Sequence, residues 1–269
     1  MKTKSKIFLA KIVSKIITFF ISKNQTVTRN KINWCLNLDE GIDLSIFIFG
    51  SSEKKVLNFS KLLQKKNTPI IIIDIGANIG SVSLIIAKKL ENSKVFAIEP
   101  TNYAFQKLSK NLNLNDDLKD KIFLKQLFIS NNKKPQKVWS SWNFEKSENK
   151  HQKHMGTLKE IKENSYIGLE KFIETEKLTN VDFIKLDVDG YELDVLRSGE
   201  KFLTKTKPII FIELAPYLYP EFGYSCEELV KYIISLNYSF LDENLIKIED
   251  IFSVIKNMKD GSSKNFFLI

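Results

Sequence analysis

The run Ile70-Ile71-Ile72-Ile73-Asp74-Ile75-Gly76-Ala77-Asn78-Ile79-Gly80 limits what this chain can become more than any other segment. Its apolar stretch reads as a strand buried on both faces, as in a parallel sheet covered by helices. The glycines that follow let backbone approach a ligand closely, and the helix expected from Ile79 offers unpaired N–H groups there. In an open α/β sheet, ligands settle at the carboxyl ends of the strands. A dinucleotide loop would need glycine at Asn78 and its third glycine one residue past Gly80. The spacing is instead Asp-x-Gly-x-x-x-Gly. An acid just before the turn repels a pyrophosphate but accepts hydrogen bonds from an ammonium group, directly or through water. Asp74, Gly76, Ala77, Asn78 and Gly80 are therefore expected to bind a zwitterionic amino-acid nucleoside rather than a nicotinamide dinucleotide.

A second strand, Lys94 to Ile98, ends at Glu99, 25 residues after Asp74. A carboxylate there can accept hydrogen bonds from both hydroxyls of a ribose, and Pro100 turns the chain into the next helix. Taken singly, each acid reads equally as a helix cap or a solvated strand end; the pair points to cofactor binding. Downstream, Asp187 closes the expected fourth strand, Val181 to Leu186, across the crevice from the first. Asp189 and Glu192 fit a capping box with Asp in place of Ser or Thr, so capping alone accounts for them. Asp187 has no such role and is the preferred polar residue of the reacting centre. Glu213 is a second carboxylate at the same sheet edge.

Around these motifs the chain alternates regularly. Strands are expected near 70–74, 94–98, 122–128, 181–186 and 207–213, and helices near 79–90, 102–113, 189–203 and 225–236. That rhythm predicts a doubly wound α/β domain. Upstream, Asp43 to Phe49 reads as strand-like and 53–66 as a helix. Residues 131–165 form a polar insertion too long for a plain connection, and it carries both histidines, His151 and His154. Tyr238–Leu241 and Phe266–Ile269 are expected to close the sheet as an antiparallel pair.

The net charge of +9 over 269 residues does not by itself mark a nucleic-acid surface. Only Arg29 and Arg197 are arginines, and lysine is the poorer residue for bidentate phosphate or base recognition. No nucleic-acid partner is expected. Cys35 and Cys226 give neither a disulfide framework nor a metal spacing, so a reduced, cytoplasmic protein without a metal centre is expected. Near the N-terminus, Leu9, Ile12, Val13, Ile16, Ile17 and Phe20 recur at helical spacing, while Lys11 and Lys15 interrupt the run. This is too short and too charged for a membrane span. Residues 4–21 suit either a basic helix at the inner face of an anionic membrane or one packed on the domain.

Ile73–Gly80, Phe96–Pro100, Ile184–Leu196 and Pro208–Glu213 together resemble the FkbM family of S-adenosylmethionine-dependent methyltransferases. The family's run Lys-Ile-Asp-Val-Glu-Gly-x-Glu is matched by Lys185-Leu186-Asp187-Val188-Asp189-Gly190-Tyr191-Glu192, with Asp189 in place of Glu. Its Thr-Leu-Asp segment survives only as Gly168-Leu169-Glu170. Glu40-Gly41-Ile42-Asp43 through Gly50 resembles the family's upstream segment, with Glu53 in a less clear Gly-x-x-Glu context. The likeness covers about residues 34–213. It implies a seven-stranded, mostly parallel Rossmann-like sheet with an antiparallel edge strand. It also implies S-adenosylmethionine as cofactor, bound by the residues above, Pro100 and Asp187 included.

Residues 1–30, outside the likeness, are expected to form a separate basic amphipathic helix, and 31–269 a class I methyltransferase domain, with a lead-in at 31–66 and the insertion at 131–165. The implied reaction is O-methylation of a sugar, glycan or related small metabolite. Asp187, His154 and Glu213 are the candidates for the base. Two other readings stand beside it: a nicotinamide-dependent oxidoreductase, and a membrane-recruited binding protein with an inactive cofactor pocket.

Overall fold

The computed structural model describes residues 3–63, 68–131, 135, 137–139, 158–161 and 165–269. Seven strands form the central sheet: β1 (Ile70–Ile75), β2 (Ser93–Ile98), β3 (Ile122–Lys125), β4 (Phe183–Leu186), β5 (Ile209–Leu214), β6 (Phe240–Leu241) and β7 (Lys264–Leu268). Their order across the sheet is β6-β7-β5-β4-β1-β2-β3. The first five are mutually parallel, and β7 runs antiparallel to both β5 and β6. The chain leaves β1 toward β2 and β3, then returns to place β4 on the other side of β1. That reversal is the topological switch point, where a crevice opens beyond the carboxyl ends of the strands.

Continuous apolar strands feed two cores at once, because successive side chains point to opposite faces. Ile73 and Ile75 join one cluster and Ile72 the other. Helices cover both faces: α1 (Thr3–Phe20), α2 (Gly41–Phe49), α3 (Ser83–Lys89), α4 (Asn102–Asn113), α5 (Leu169–Thr175), α6 (Glu192–Arg197), α7 (Glu200–Thr206), α8 (Cys226–Ser235) and α9 (Ile251–Lys256). Leu169, Phe172, Leu196, Leu203, Leu229 and Ile255 pack on the Ile73 side; Leu44, Ile46, Leu84, Leu108 and Leu112 pack on the Ile72 side. Thr101 caps α4 through the Ala104 amide, and Ser225 with Glu228 forms a reciprocal capping box at α8.

Several elements differ from expectation. Asp43–Phe49 is helical, not extended. A short, nearly continuous apolar run has no period to distinguish the two states, and Gly50 ends this one at φ 76°. Lys107 on α4 fastens that helix, reaching Asp43 at 2.6 Å and Glu40 at 2.9 Å. The helix expected over 53–66 is a 3-10 segment, Lys54–Lys61, whose Phe59 ring stacks on Phe183 of β4 with centroids 3.9 Å apart. The 122–128 strand stops at Lys125, and Phe128–Ile129 pairs separately with Tyr166–Ile167. The 189–203 helix is two helices parted at Ser198-Gly199. Within the insertion, Lys137–Trp139 pairs antiparallel with Leu158–Glu160. His151 and His154 lie outside the described residues.

Between α1 and α2, Asn24–Arg29 and Ile32–Asn37 form a hairpin across Asn30-Lys31, whose φ values of 54° and 61° suit a tight primed turn. Its open edge is finished by side chains of the neighbouring helix and turn. Asn111 Oδ1 accepts from the Cys35 amide at 2.8 Å while its Nδ2 donates to the Ile79 carbonyl at 3.0 Å. Asn115 both accepts from the Asn33 amide and donates to its carbonyl, each at 2.8 Å. Asn111→Ala strands two buried backbone groups, at about 1–3 kcal/mol each. Urea unfolding is expected to show a loss of about 2–4 kcal/mol; a loss under about 0.5 kcal/mol would count against this anchoring role.

Candidate functional site

A cavity of about 340 Å³ opens where the switch point predicts it. Gly76, Ala77 and Asn78 line it after β1, Glu99, Pro100 and Thr101 after β2, and Asp187 to Asp189 after β4. Glu213 and Tyr217 come from the end of β5 and beyond it. Leu127, Phe128, Ile129 and Val138 supply an apolar side, and Ser52 and Glu53 arrive from the lead-in segment.

The loop after β1 is held from three directions. Gly76 and Ala77 amides both donate to the Ile98 carbonyl, at 3.0 and 2.9 Å. Gly76 takes φ 81°, and a Cβ there would fall 1.9 Å from the Asp187 carbonyl oxygen. Only glycine permits this crossing of the two strand ends. The third hold is Lys185, whose ammonium donates to the Gly76 carbonyl at 3.0 Å and lies 3.3 Å from Asp187 Oδ2 and 3.9 Å from Asp74 Oδ1. The β1–β4 register sets Lys185 directly opposite Asp74. Burial alone would lower the lysine's pKa, but Asp187, Asp74 and Glu53 outweigh it and hold the ammonium well above its ordinary range.

Two sequence-predicted cofactor residues sit elsewhere than expected. Asp74 is fully buried beneath the loop and does not line the cavity; it accepts from Ser83 Oγ at 2.5 Å. A strand that ends in buried backbone leaves its last inward side chain in the core, so this acid braces the loop from behind. Gly80 is likewise absent from the lining, and a Cβ there would press on Leu84 and Leu108. Its need for glycine comes from packing and from φ 87°.

Glu99 lies in the lining and is already partly engaged. It accepts from the Asn78 amide at 3.0 Å, the Thr101 amide at 2.9 Å and the Thr101 hydroxyl at 2.7 Å. Burial raises its pKa, and these bonds oppose the rise. Such a carboxylate keeps lone pairs for further donors. Thr101 was not legible as a site residue, although Thr two residues past a strand-end acid is a usable signal.

The expected capping box at Asp189 and Glu192 does not form. Tyr191 is the N-cap of α6, and Asp189 takes φ 49°. Glu192 instead folds back to accept from the Val188 and Gly190 amides, both at 3.1 Å, which shapes the Val188–Gly190 turn from inside. Burial pushes its carboxyl up to about 7. Asp187, Asp189, Glu213 and Glu53 thus surround the cavity floor near Lys185. Burial and mutual repulsion push Asp189 and Glu213 well above the usual carboxylate range. Burial likewise raises Glu53 to about 7, and its Oε2 is buried with no hydrogen-bond partner. Among the described residues no three His, Cys, Asp or Glu side chains are placed to hold a metal ion.

The chain is similar to several known proteins. A stretch of 47 residues is 47% identical to methyltransferase sdnD of Sordaria araneosa, covering 18% of each chain. A crystallised methyltransferase FkbM of Methylobacillus flagellatus aligns with TM-score 0.48 and 19% identity over 78% of this chain. This chain spans 46% of the length of that structure. A human methyltransferase 10 domain containing protein aligns over 100% of this chain and 96% of its own, at 11% identity and TM-score 0.47. The model of the methyltransferase FkbM domain family matches residues 74–240, from the buried Asp74 to Phe240, the first residue of the edge strand β6. That match takes in more than half of the chain and every crevice element except the lead-in segment; the protein belongs to the FkbM methyltransferase family.

Proposed function

We propose that this FkbM-family protein uses S-adenosylmethionine to methylate a hydroxyl of a sugar, a glycan or a related small metabolite. The observation that carries the reading is Glu99: a buried, backbone-tethered carboxylate in the crevice, opposite an apolar side and beside a glycine-opened loop. The residues fit the donor part by part. Glu99 suits the ribose hydroxyls. Leu127, Phe128 and Ile129 suit a flat apolar ring. The unpartnered Glu53 Oε2 suits the methionyl ammonium. When bound, the donor supplies an electrophilic methyl group on a sulfonium. The resemblance of Lys185–Glu192 and its neighbours supports the hydroxyl acceptor.

On this reading the chain's own work is to position the acceptor and move one proton. Asp187 accepts the acceptor's hydroxyl proton, and its neighbour Lys185 keeps the carboxylate aimed at the crevice. Glu213, kept protonated by burial beside other acids, donates a hydrogen bond that orients the acceptor. His154 remains a further candidate for the base. Nicotinamide chemistry is the weaker reading, because an acid-lined crevice repels a pyrophosphate.

Calorimetry is expected to show S-adenosylmethionine binding that weakens about 10- to 100-fold in Glu99→Ala, the effect of losing charged hydrogen bonds. Binding of NAD but not of S-adenosylmethionine would overturn the proposal. Asp187→Asn is expected to hold the donor within about threefold while transfer falls at least about 100-fold; unchanged turnover removes Asp187 from the reaction. Glu53 gives a pH signature. Its carboxyl holds its proton up to about 7, above an ordinary value of 4.5, so below that point a cationic ligand must first displace the proton. Donor affinity is therefore expected to rise several-fold from about pH 6 to about pH 7.5, short of deprotonation of the ligand amine. Glu53→Gln should flatten that rise, and an equally steep profile in the variant would exclude Glu53 from the ammonium site.

A further inference from the structure

The helix α1 is held to the domain by its small side and turns its large apolar side outward. Ala10 and Ile17 pack toward α2 and the hairpin, and Ser14, 1% exposed, donates to Asp39 Oδ1 at 3.2 Å. Phe8, Leu9, Ile12, Ile16, Phe19 and Phe20 all lie on the exposed side, the last two at 81% and 77% exposure. At helical spacing these six fall within about a third of the circumference. Leaving so much contiguous apolar surface in water is unusual for a protein with no use for it.

Charge lies along one border of this stripe. Residues 3–23 contain five lysines and no acidic residue. Lys11, Lys15 and Lys23, with the hydroxyls of Ser14, Thr18 and Ser22, line a recess beside the stripe into which Asp39 also projects. Lys23 lies 3.7 Å from Asp39, which offsets one of the three cations. No described helix is long and apolar enough to cross a membrane. A stripe of aromatic and branched side chains bordered by lysines matches a surface-lying helix, with rings among acyl chains and ammonium groups at the headgroups. A second copy of this chain would instead bring lysine borders together.

We propose that α1 seats the protein on an anionic lipid bilayer, the Phe19–Phe20 side entering the interface and the Lys11–Lys15–Lys23 recess taking a lipid phosphate. This docking is independent of the reaction assigned to the crevice. The test is co-sedimentation of the full chain with vesicles of phosphatidylcholine, alone and mixed with phosphatidylglycerol. The pelleted fraction is expected to be about fivefold higher or more on the anionic vesicles and to fall as salt is raised. Phe19→Ser with Phe20→Ser should abolish pelleting, and Lys11→Glu with Lys15→Glu should erase the anionic preference. Both pairs change exposed or half-buried side chains, and unchanged thermal melts check that the fold is intact. Equal pelleting of the wild type and the phenylalanine variant overturns the proposal. So does failure of the wild type to pellet, whether or not it forms a dimer that the phenylalanine variant dissolves.

Discussion

A lysine ammonium at 4% exposure, set where two parallel strands end, ties the crevice together. Lys185 touches β1 through Asp74, the ligand loop through the Gly76 carbonyl and its own strand end through Asp187. Taking an ammonium out of water costs several kcal/mol, and it is tolerable only with charged and polar partners in good geometry. The same contacts make the arrangement indivisible. Removing the lysine leaves the buried Asp74 without its cation, at about 3–5 kcal/mol. The loop's path, the glycine at 76 and the meeting of β1 with β4 therefore stand or fall as one unit.

Around that cation the acids outnumber it. Asp74, Asp187, Asp189, Glu213 and Glu53 all act electrostatically on one another or on Lys185. Burial answers the excess by raising the pKa values of Asp74, Asp189, Glu213 and Glu53, so part of the cluster is neutral in the folded protein near neutrality. A crevice built this way holds latent negative charge that an arriving cation can draw out. On the proposed reading the methyl donor brings two such charges, a sulfonium and an ammonium. The field of the site then favours the charged donor over the neutral thioether that remains after transfer, which assists product release.

How much of this the sequence discloses follows from the range of each interaction. Strand ends and the Gly-rich turn are legible because they depend on local periodicity and on backbone freedom at single residues; β1, β2, α4 and α8 fall within a residue or two of their expected bounds. Depth is not legible. Asp74 and Glu99 carry the same chemistry at equivalent strand ends, yet one braces the loop from below and the other faces the cavity. The register pairs Asp74 with Ala97, so Glu99 stands two residues further along, past its strand's end and at the crevice, and Lys185 explains why the buried acid is tolerated. The misread segment at Asp43–Phe49 fails for a related reason: its helical state is fixed by Lys107, more than 60 residues away, and not by its own pattern.

The lead-in segment shows how a site can draw on parts of the chain that its motifs do not mark. Glu53 precedes the residues matched by the family model, and its local sequence marks it only by the Gly-x-x-Glu context of Gly50–Glu53. It reaches the crevice because each neighbouring element is anchored in turn. Asn111 and Asn115 bind the hairpin to α4, Lys107 binds α2 to the same helix, and the Phe59–Phe183 stack presses the 3-10 segment against β4. Helix α4 begins three residues after Glu99. A single helix thus registers the lead-in segment against Glu99, and the two acids that flank the cavity are positioned from α4. On the proposed reading, geometry of this kind needs no flexible closure to assemble the cofactor side of the crevice.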